Sequence, residues 1–523
     1  MPEKKLASFL EKRRKSVMLT VAIAVFAIFA LYYFFMIFRS SAGVPVRKFA
    51  FAFLAVAVLG CGLILLCYFL MTRKSLSIEK LFVIFMVSAG VIYAAVFLPF
   101  TIPDEHVHYL SAYRISNYLV LNFDQFGDDR LLMRSADADL LSNLRGNYLT
   151  PEYYSSIIRN FDFFTSGREM TPMPSVFVKN APLGYIASAF GIAIARLFHL
   201  GSIPTFYFGR LANLALYTVA VWWAIKRMPY GKTALFVISA LPMTIHLVAS
   251  YSYDFLVIAL AMLFISQVLY MREKPGSVTL KDVILCAVWA VLLAPSKLVY
   301  FVIVFAVFLI PSEKFGMSGK KAAFIKTGVV VLSIAVLLVS QLGKISTYMG
   351  DGNVVTWSQT EAFSVSYALS HPFDFIRVLV NTFFKKTDYF LSTMIGSHMG
   401  YLQITVPVFM WIPMLGVLGY SFIRRKDEQL GVLSASEKLW MWLLGGLTCA
   451  LAALSILFSW TPLTSSTIEG VQGRYFIPAL PLFFLAIRGN GLSRPANSDK
   501  YIVFFCIYYN LLMPLVYFGT VFA

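Results

Sequence analysis

The run LFVIFMVSAGVIYAAVFLPF at 81–100, followed directly by TIPDEHVHYLSAYR at 101–114, decides the fold. Twenty residues without a charge are enough to cross a bilayer as a helix. They deliver two adjacent carboxylates, two imidazoles and a guanidinium to the membrane boundary. Pro103 followed by Asp104 and Glu105 suits the first turn of a helix, where the macrodipole favours negative charge and a missing N–H costs nothing. Asp104 and His108 then share a face at i, i+4, and Glu105 lies i, i+3 from His108. An acid–imidazole cluster of this kind suits proton abstraction or ligation of a divalent cation. The same pair also reads as an ordinary solvated helix start.

Outward from this stretch the composition is that of a multi-pass membrane protein. Of 523 residues 59% are hydrophobic and 13% charged, and many windows of bilayer length carry no charge. The formal charge of +18 would suggest nucleic acid in a water-soluble chain. Here more than half of the 44 Lys and Arg fall in short loops, 1–16, 72–80, 225–232, 272–281, 312–326, 424–438 and 488–500, where they orient spans and meet anionic lipid. Nucleic acid is therefore not an expected partner; the lipid bilayer is. Cys61, Cys67, Cys286, Cys449 and Cys506 all lie in apolar runs, so neither disulfides nor a zinc site is indicated. The N-terminus is too charged, and its first apolar run too long, for a removable signal peptide.

The basic start places the N-terminus in the cytoplasm. Spans are expected at 17–38, 49–71, 81–100, 207–225, 233–250, 254–271, 282–296, 299–311, 327–342, 402–423, 439–459, 474–487 and 501–521, about thirteen in all, alternating so that the basic loops lie inside. The run 182–199 ends in Arg196 and His199, and counting it as a crossing would invert every later loop, so it reads as re-entrant or interfacial. Five regions follow: 1–100, the basic segment and first three spans; 101–206, a large outer loop of interfacial helices carrying the acidic site; 207–342, central spans; 343–401, a second outer loop; and 402–523, the last spans. The second loop, with Trp357, His371, Asp374, Arg377, Lys385, Lys386 and His398, is expected to fold over the first. Asp124, Asp128, Asp129, Asp137 and Asp139 lack the spacing of a calcium loop. No internal repeat or pair of broken spans marks an inverted-repeat transporter.

Charges at membrane depth mark sites because burying them is costly. Asp254 closes Ser250-Tyr-Ser-Tyr-Asp254 at the outer end of a span, where it could orient a substrate hydroxyl or pair with an arginine. Lys297 and Arg474 are cations at the depth of lipid phosphates, and either could merely snorkel to lipid. Arg474 follows Gly473, which permits close backbone approach, and a guanidinium suits a phosphodiester bidentately. Arg210 is a weaker candidate of the same kind.

The pattern Pro103-Asp104-Glu105-x-x-His108 with Ala112-Tyr113-x-x-Ser116, together with Tyr207-Phe-Gly-Arg-Leu-Ala-Asn213, Leu241-Pro-Met243, the Asp254 motif and Gly470-Val-Gln-Gly-Arg-Tyr-Phe-Ile-Pro478, resembles a family of bacterial polytopic membrane proteins. The likeness runs from about residue 100 to about 490. That family in turn resembles the GT-C glycosyltransferases, which take a sugar from a polyprenyl-phosphate carrier and keep an acidic residue in the first large outer loop. The resemblance implies an all-α, GT-C-like enzyme of a bacterial inner membrane, working at the outer face on a polyprenyl-phosphate sugar donor and a glycan or glycolipid acceptor. Asp104 would be the general base, with Glu105 and His108 orienting it, or Asp104 and Glu105 holding magnesium or manganese. Arg114, Arg210, Asp254, Lys297, Arg474 and Tyr475 would bind substrate. No nucleotide-binding glycine pattern supports a nucleotide-sugar donor. The alternatives are a flippase or transporter of lipid-linked saccharides, which needs the cations but no carboxylate, and a polysaccharide polymerase or ligase.

Overall fold

The computed structural model describes residues 2–39, 46–72, 76–122, 130–144, 148–165, 167, 169–174, 182–349, 354–355, 357–489 and 491–522. Three long helices open the chain, α1 (Pro2–Arg39), α2 (Val46–Thr72) and α3 (Ile78–Val96). The segment after α3 holds α4 (Glu105–Leu119), α5 (Ser135–Leu144), α6 (Pro151–Arg159) and α7 (Ile186–Leu197). It is not purely helical as expected, because β1 (Arg130–Arg134) pairs antiparallel with β2 (Met170–Pro174). The central helices are α8 (Ser202–Arg227), α9 (Lys232–Ser239), α10 (Pro242–Val248), α11 (Asp254–Glu273), α12 (Leu280–Ser296) and α13 (Gly319–Met349). Then come α14 (Val365–Ser370), α15 (Pro372–Ile395), α16 (Val408–Phe422), α17 (Ala435–Trp460), α18 (Leu480–Ile487) and α19 (Ser498–Phe522).

Among the described residues eight helices are long and apolar enough to cross a membrane, in α1, α2, α3, α8, α11, α13, α17 and α19. The other expected crossings are short or broken. The stretch 233–250 divides at Leu241-Pro242, where proline ends one helix and starts the next. Leu298–Leu309 is an entirely apolar 3₁₀ helix. At a rise of about 2.0 Å per residue its twelve residues reach about 24 Å, further than an α-helix of that length. The 474–487 stretch is likewise a 3₁₀ turn, Gly473–Ala479, continued by α18. α11 is apolar all round and enclosed by α8, α12 and the 3₁₀ helix, whereas α1 and α2 keep exposed apolar faces as lipid-facing spans do.

Ion pairs join five of the basic loops, 72–80, 225–232, 272–281, 424–438 and 488–500, on one face. Glu79 pairs with Lys232 at 3.5 Å, Asp282 with Arg227 at 2.9 Å and Lys274 at 2.7 Å, Glu437 with Arg272, Glu428 with Arg488 at 2.6 Å, and Asp499 with Arg425 at 2.7 Å. Capping boxes at Thr279/Asp282 and Ser434/Glu437 start α12 and α17 there, so the same carboxylates cap helices and bind cations. The described residues of the segment 101–201 lie at the opposite helix ends, between the end of α3 and the start of α8. Within it α7 has twelve residues, about 18 Å, too short for a hydrocarbon core of about 30 Å. Both flanks of α7 touch that segment, Tyr185 through His108 and Leu200 through a bridge to Phe164. The second loop meets the first at Tyr401, whose ring centroid lies 5.8 Å from that of Tyr148, and just beyond it the Gln403 side chain exchanges hydrogen bonds with the Leu149 backbone at 2.8 and 3.1 Å. The loop's helix α15 packs instead on the Gly473–Ala479 turn, while Phe363 reaches Leu457 near the end of α17.

Orientation is testable with the native cysteines replaced. A cysteine at exposed Asn160 is expected to react with an impermeant thiol reagent added outside intact spheroplasts, and one at exposed Ser434 to stay unlabelled. The reverse pattern would put the acidic segment in the cytoplasm.

Candidate functional site

The site is built on a buried latch. α3 ends at Phe97, and the chain turns through Phe100 and Asp104, both with left-handed backbone, into α4. Arg210, projecting from α8, closes this turn. Its Nε and one terminal nitrogen grip the two Glu105 oxygens at 2.9 and 2.6 Å, and it donates further to the carbonyls of Leu98, at 3.0 Å, and Phe97. The Glu105 carboxylate also accepts the backbone N–H of Phe100 at 3.0 Å and of Tyr251 at 3.2 Å. Both side chains are 0% exposed. Glu105, expected to act on substrate or metal, and Arg210, expected to bind phosphate, are thus spent on each other and on five backbone groups, the fifth being the Ala94 carbonyl at 3.4 Å from Arg210. They lock α3, α4, α8 and the Ser250–Asp254 segment together.

Asp104 faces the other way. It is exposed, stands at the N-cap in the left-handed region (φ 62°), and its carboxylate makes no hydrogen bond or ion pair among the described residues. Asp and Asn tolerate that backbone better than other non-glycine residues, and strain kept without a cap to repay it marks functional positions. One turn on, His108 is buried with Nδ1 at 2.7 Å from the Tyr185 hydroxyl and its ring edge against Tyr253. Burial pulls its imidazole down to about 4, with Asp104 and Asp254 opposing and Arg474 and Lys297 adding to the effect. The ring is therefore neutral near pH 7.

Asp254, at the start of α11, lies between two cations. Its oxygens are 3.3 Å from Lys297 Nζ and 3.9 Å from Arg474 Nε. Lys297 rests 4.3 Å from the Tyr475 ring centroid, and Arg474 donates to the Tyr475 hydroxyl at 3.2 Å. The Tyr300 hydroxyl holds the Tyr475 carbonyl at 2.9 Å. Two glycines allow this crowding. A Cβ on Gly473 would come within 1.9 Å of the Phe390 carbonyl oxygen, and one on Gly184 within 2.5 Å of Tyr253 Cβ. Arg474 Nε is buried and has no hydrogen-bond partner among the described residues.

Of the nine residues expected at the site, Asp104, His108, Asp254, Lys297, Arg474 and Tyr475 converge here. Arg114 does not share the face of His108, standing six residues, about two-thirds of a turn, round α4. Tyr185, Tyr253 and Tyr300 complete the cluster; only Tyr253 fell in a quoted motif, and nothing in the sequence separates the other two from the rest of the 28 tyrosines.

Among the described residues the site's buried carboxylates are matched to cationic side chains. Glu105 is taken by Arg210, Asp254 by two cations, and among the described residues no group of three His, Cys, Asp or Glu could hold an ion. Asp137 is bound by Arg134 at 2.7 Å, while Asp124, Asp128 and Asp129 lie outside the described residues. Two apolar hollows of about 690 and 660 Å³ share Leu183, Leu216 and Leu256 and so form one groove along α7, α8, α11 and α12. The hollows join at Leu183 and Leu256, each two residues from Tyr185 or Asp254; from there one runs to Leu119, Ile194 and Phe208 and the other to Arg227 and Lys281 on the basic face.

No curated protein matches the chain, and no solved structure does. A family model described as "Predicted membrane protein (DUF2142)" matches residues 85–483, which takes in the latch, the converging charges and the groove. The chain belongs to this family of membrane proteins.

Proposed function

We propose that this protein is a membrane glycosyltransferase that moves a sugar from a polyprenyl-phosphate donor to a glycan or glycolipid acceptor at the outer face of a bacterial inner membrane. The observation that carries the reading is the unpaired Asp104 carboxylate at the mouth of a cluster holding Lys297 and Arg474, past which a long apolar groove runs. The isoprenoid tail lies in the groove and the phosphate between Lys297 and the Nε of Arg474, which carries no hydrogen bond among the described residues. Asp104 takes the proton of the acceptor hydroxyl as its oxygen attacks the anomeric carbon. The bond from that carbon to the phosphate oxygen breaks with inversion, and the two cations stabilise the charge left on phosphate. Asp254 holds the cations in register, and neutral His108, fixed by Tyr185, lines the acceptor side.

A flippase would need a polar path for the sugar through the membrane. The groove offers Leu216, Leu256, Leu260 and Leu263 at its middle, which suits a lipid tail and not a saccharide.

Donor binding tests the phosphate site. In nanodiscs, Arg474→Ala is expected to weaken binding of a polyprenyl-monophosphate hexose by about 2 kcal/mol or more, and Arg474→Lys to recover little of it, since a point charge cannot replace the planar fork. Unchanged affinity in both variants would reassign Arg474 to lipid anchoring.

A further inference from the structure

The helix α15 carries a face that the described protein leaves bare. Phe373, Ile376, Val380, Phe383, Phe384 and Leu391 recur at helical spacing on one side, and Phe373 is 87%, Phe384 79% and Phe383 66% exposed. The opposite side is fully engaged. Val378 packs with Phe363, Leu457, Ile468 and Val471, and the Thr382 hydroxyl accepts the Ile468 N–H at 2.8 Å. Lys386 pairs with Glu469 at 2.8 Å.

We propose that this bare face is seated in the lipid leaflet at the site's end of the molecule, so that α15 is an interfacial helix forming a membrane-held wall of the site. Three observations select lipid as the occupant. The stripe continues onto α16, which packs on α15 and exposes Val408, Phe409 and Ile412 as part of the belt a multi-pass protein shows to lipid. The charged residues Arg377, Lys385 and Asp388 flank the stripe instead of interrupting it, the arrangement by which an amphipathic helix lies in the headgroup boundary with long basic side chains reaching back to water. Six large apolar side chains along about 27 Å of helix would otherwise face water as an aggregation-prone patch. The seating bears on the site because the far end of α15 abuts Gly473, the residue before Arg474, through the Phe390 carbonyl and Met394 N–H.

The inference is independent of the enzymatic reading, and its test needs no substrate. Single nitroxides are attached to cysteines at Phe373, Val380 and Phe384, and in separate samples at Lys385 and Asp388, with the native cysteines replaced. The protein is reconstituted in nanodiscs of phosphatidylethanolamine and phosphatidylglycerol, and relaxation enhancement by oxygen is compared with that by a water-soluble nickel chelate. The expected result is a several-fold higher oxygen-to-nickel ratio at the three apolar positions than at Lys385 and Asp388. Equal ratios on both faces would place α15 in water, and low access of both reagents at the apolar positions would assign the stripe to a protein partner or a second copy; either overturns the proposal.

Discussion

With asparagine at position 104, sugar transfer is expected to fall about 10²–10⁴-fold while binding of the lipid-linked donor holds, because a positioned general base contributes that much to rate and little to ground-state affinity. Asparagine is the informative replacement. It accepts the left-handed backbone that Asp104 adopts, so the turn from α3 into α4 keeps its shape while proton acceptance is lost. Alanine would add strain at φ 62° and confound the result. Glycine removes both the strain and the carboxylate; Asp104→Gly should therefore be folded and as inactive as Asp104→Asn. Initial rates with saturating donor, set beside donor binding in the same nanodiscs, separate the two effects. Full transfer by Asp104→Asn would remove the base and leave the flippase or ligase as the better account of the cluster.

The membrane character and the gathering of charge at 103–114 are legible in the sequence, since a bilayer is the one solvent that long uncharged runs ending in charges suit. That logic also picks out Asp254, Lys297 and Arg474, each far from the others in the chain and each too costly to bury singly. It fails at the Asp104–Glu105 pair. Neighbours on a helix point about 100° apart, so two adjacent carboxylates rarely do one job, yet which faces inward depends on Arg210, 105 residues away. Pro242 signals the break in the 233–250 stretch. Nothing in Leu298–Leu309 signals a 3₁₀ helix, because an entirely apolar run carries no periodicity to read.

The latch should respond to mutation as a scaffold. Removing either partner leaves the other charged, buried and cut off from water, which typically costs about 3–5 kcal/mol. In Arg210→Ala the Glu105 carboxylate keeps only the Phe100 and Tyr251 N–H groups, while the carbonyls of Leu98 and Phe97 lose their donor. In Glu105→Gln the guanidinium retains those carbonyls but has no counter-charge. Both single variants are therefore expected to unfold at markedly lower temperature in detergent, with Arg210→Ala the worse. The double variant Glu105→Leu/Arg210→Met, which replaces both charges by apolar groups, should lose less than the two single losses added together. Thermal unfolding followed by loss of the monodisperse species on size exclusion measures all three. The decisive comparison is with transfer activity. A scaffold role predicts that Glu105→Gln, assayed below its lowered midpoint, keeps a pH–rate profile of the native form, whereas a variant as stable as the native protein yet unable to transfer sugar would return Glu105 to the chemistry.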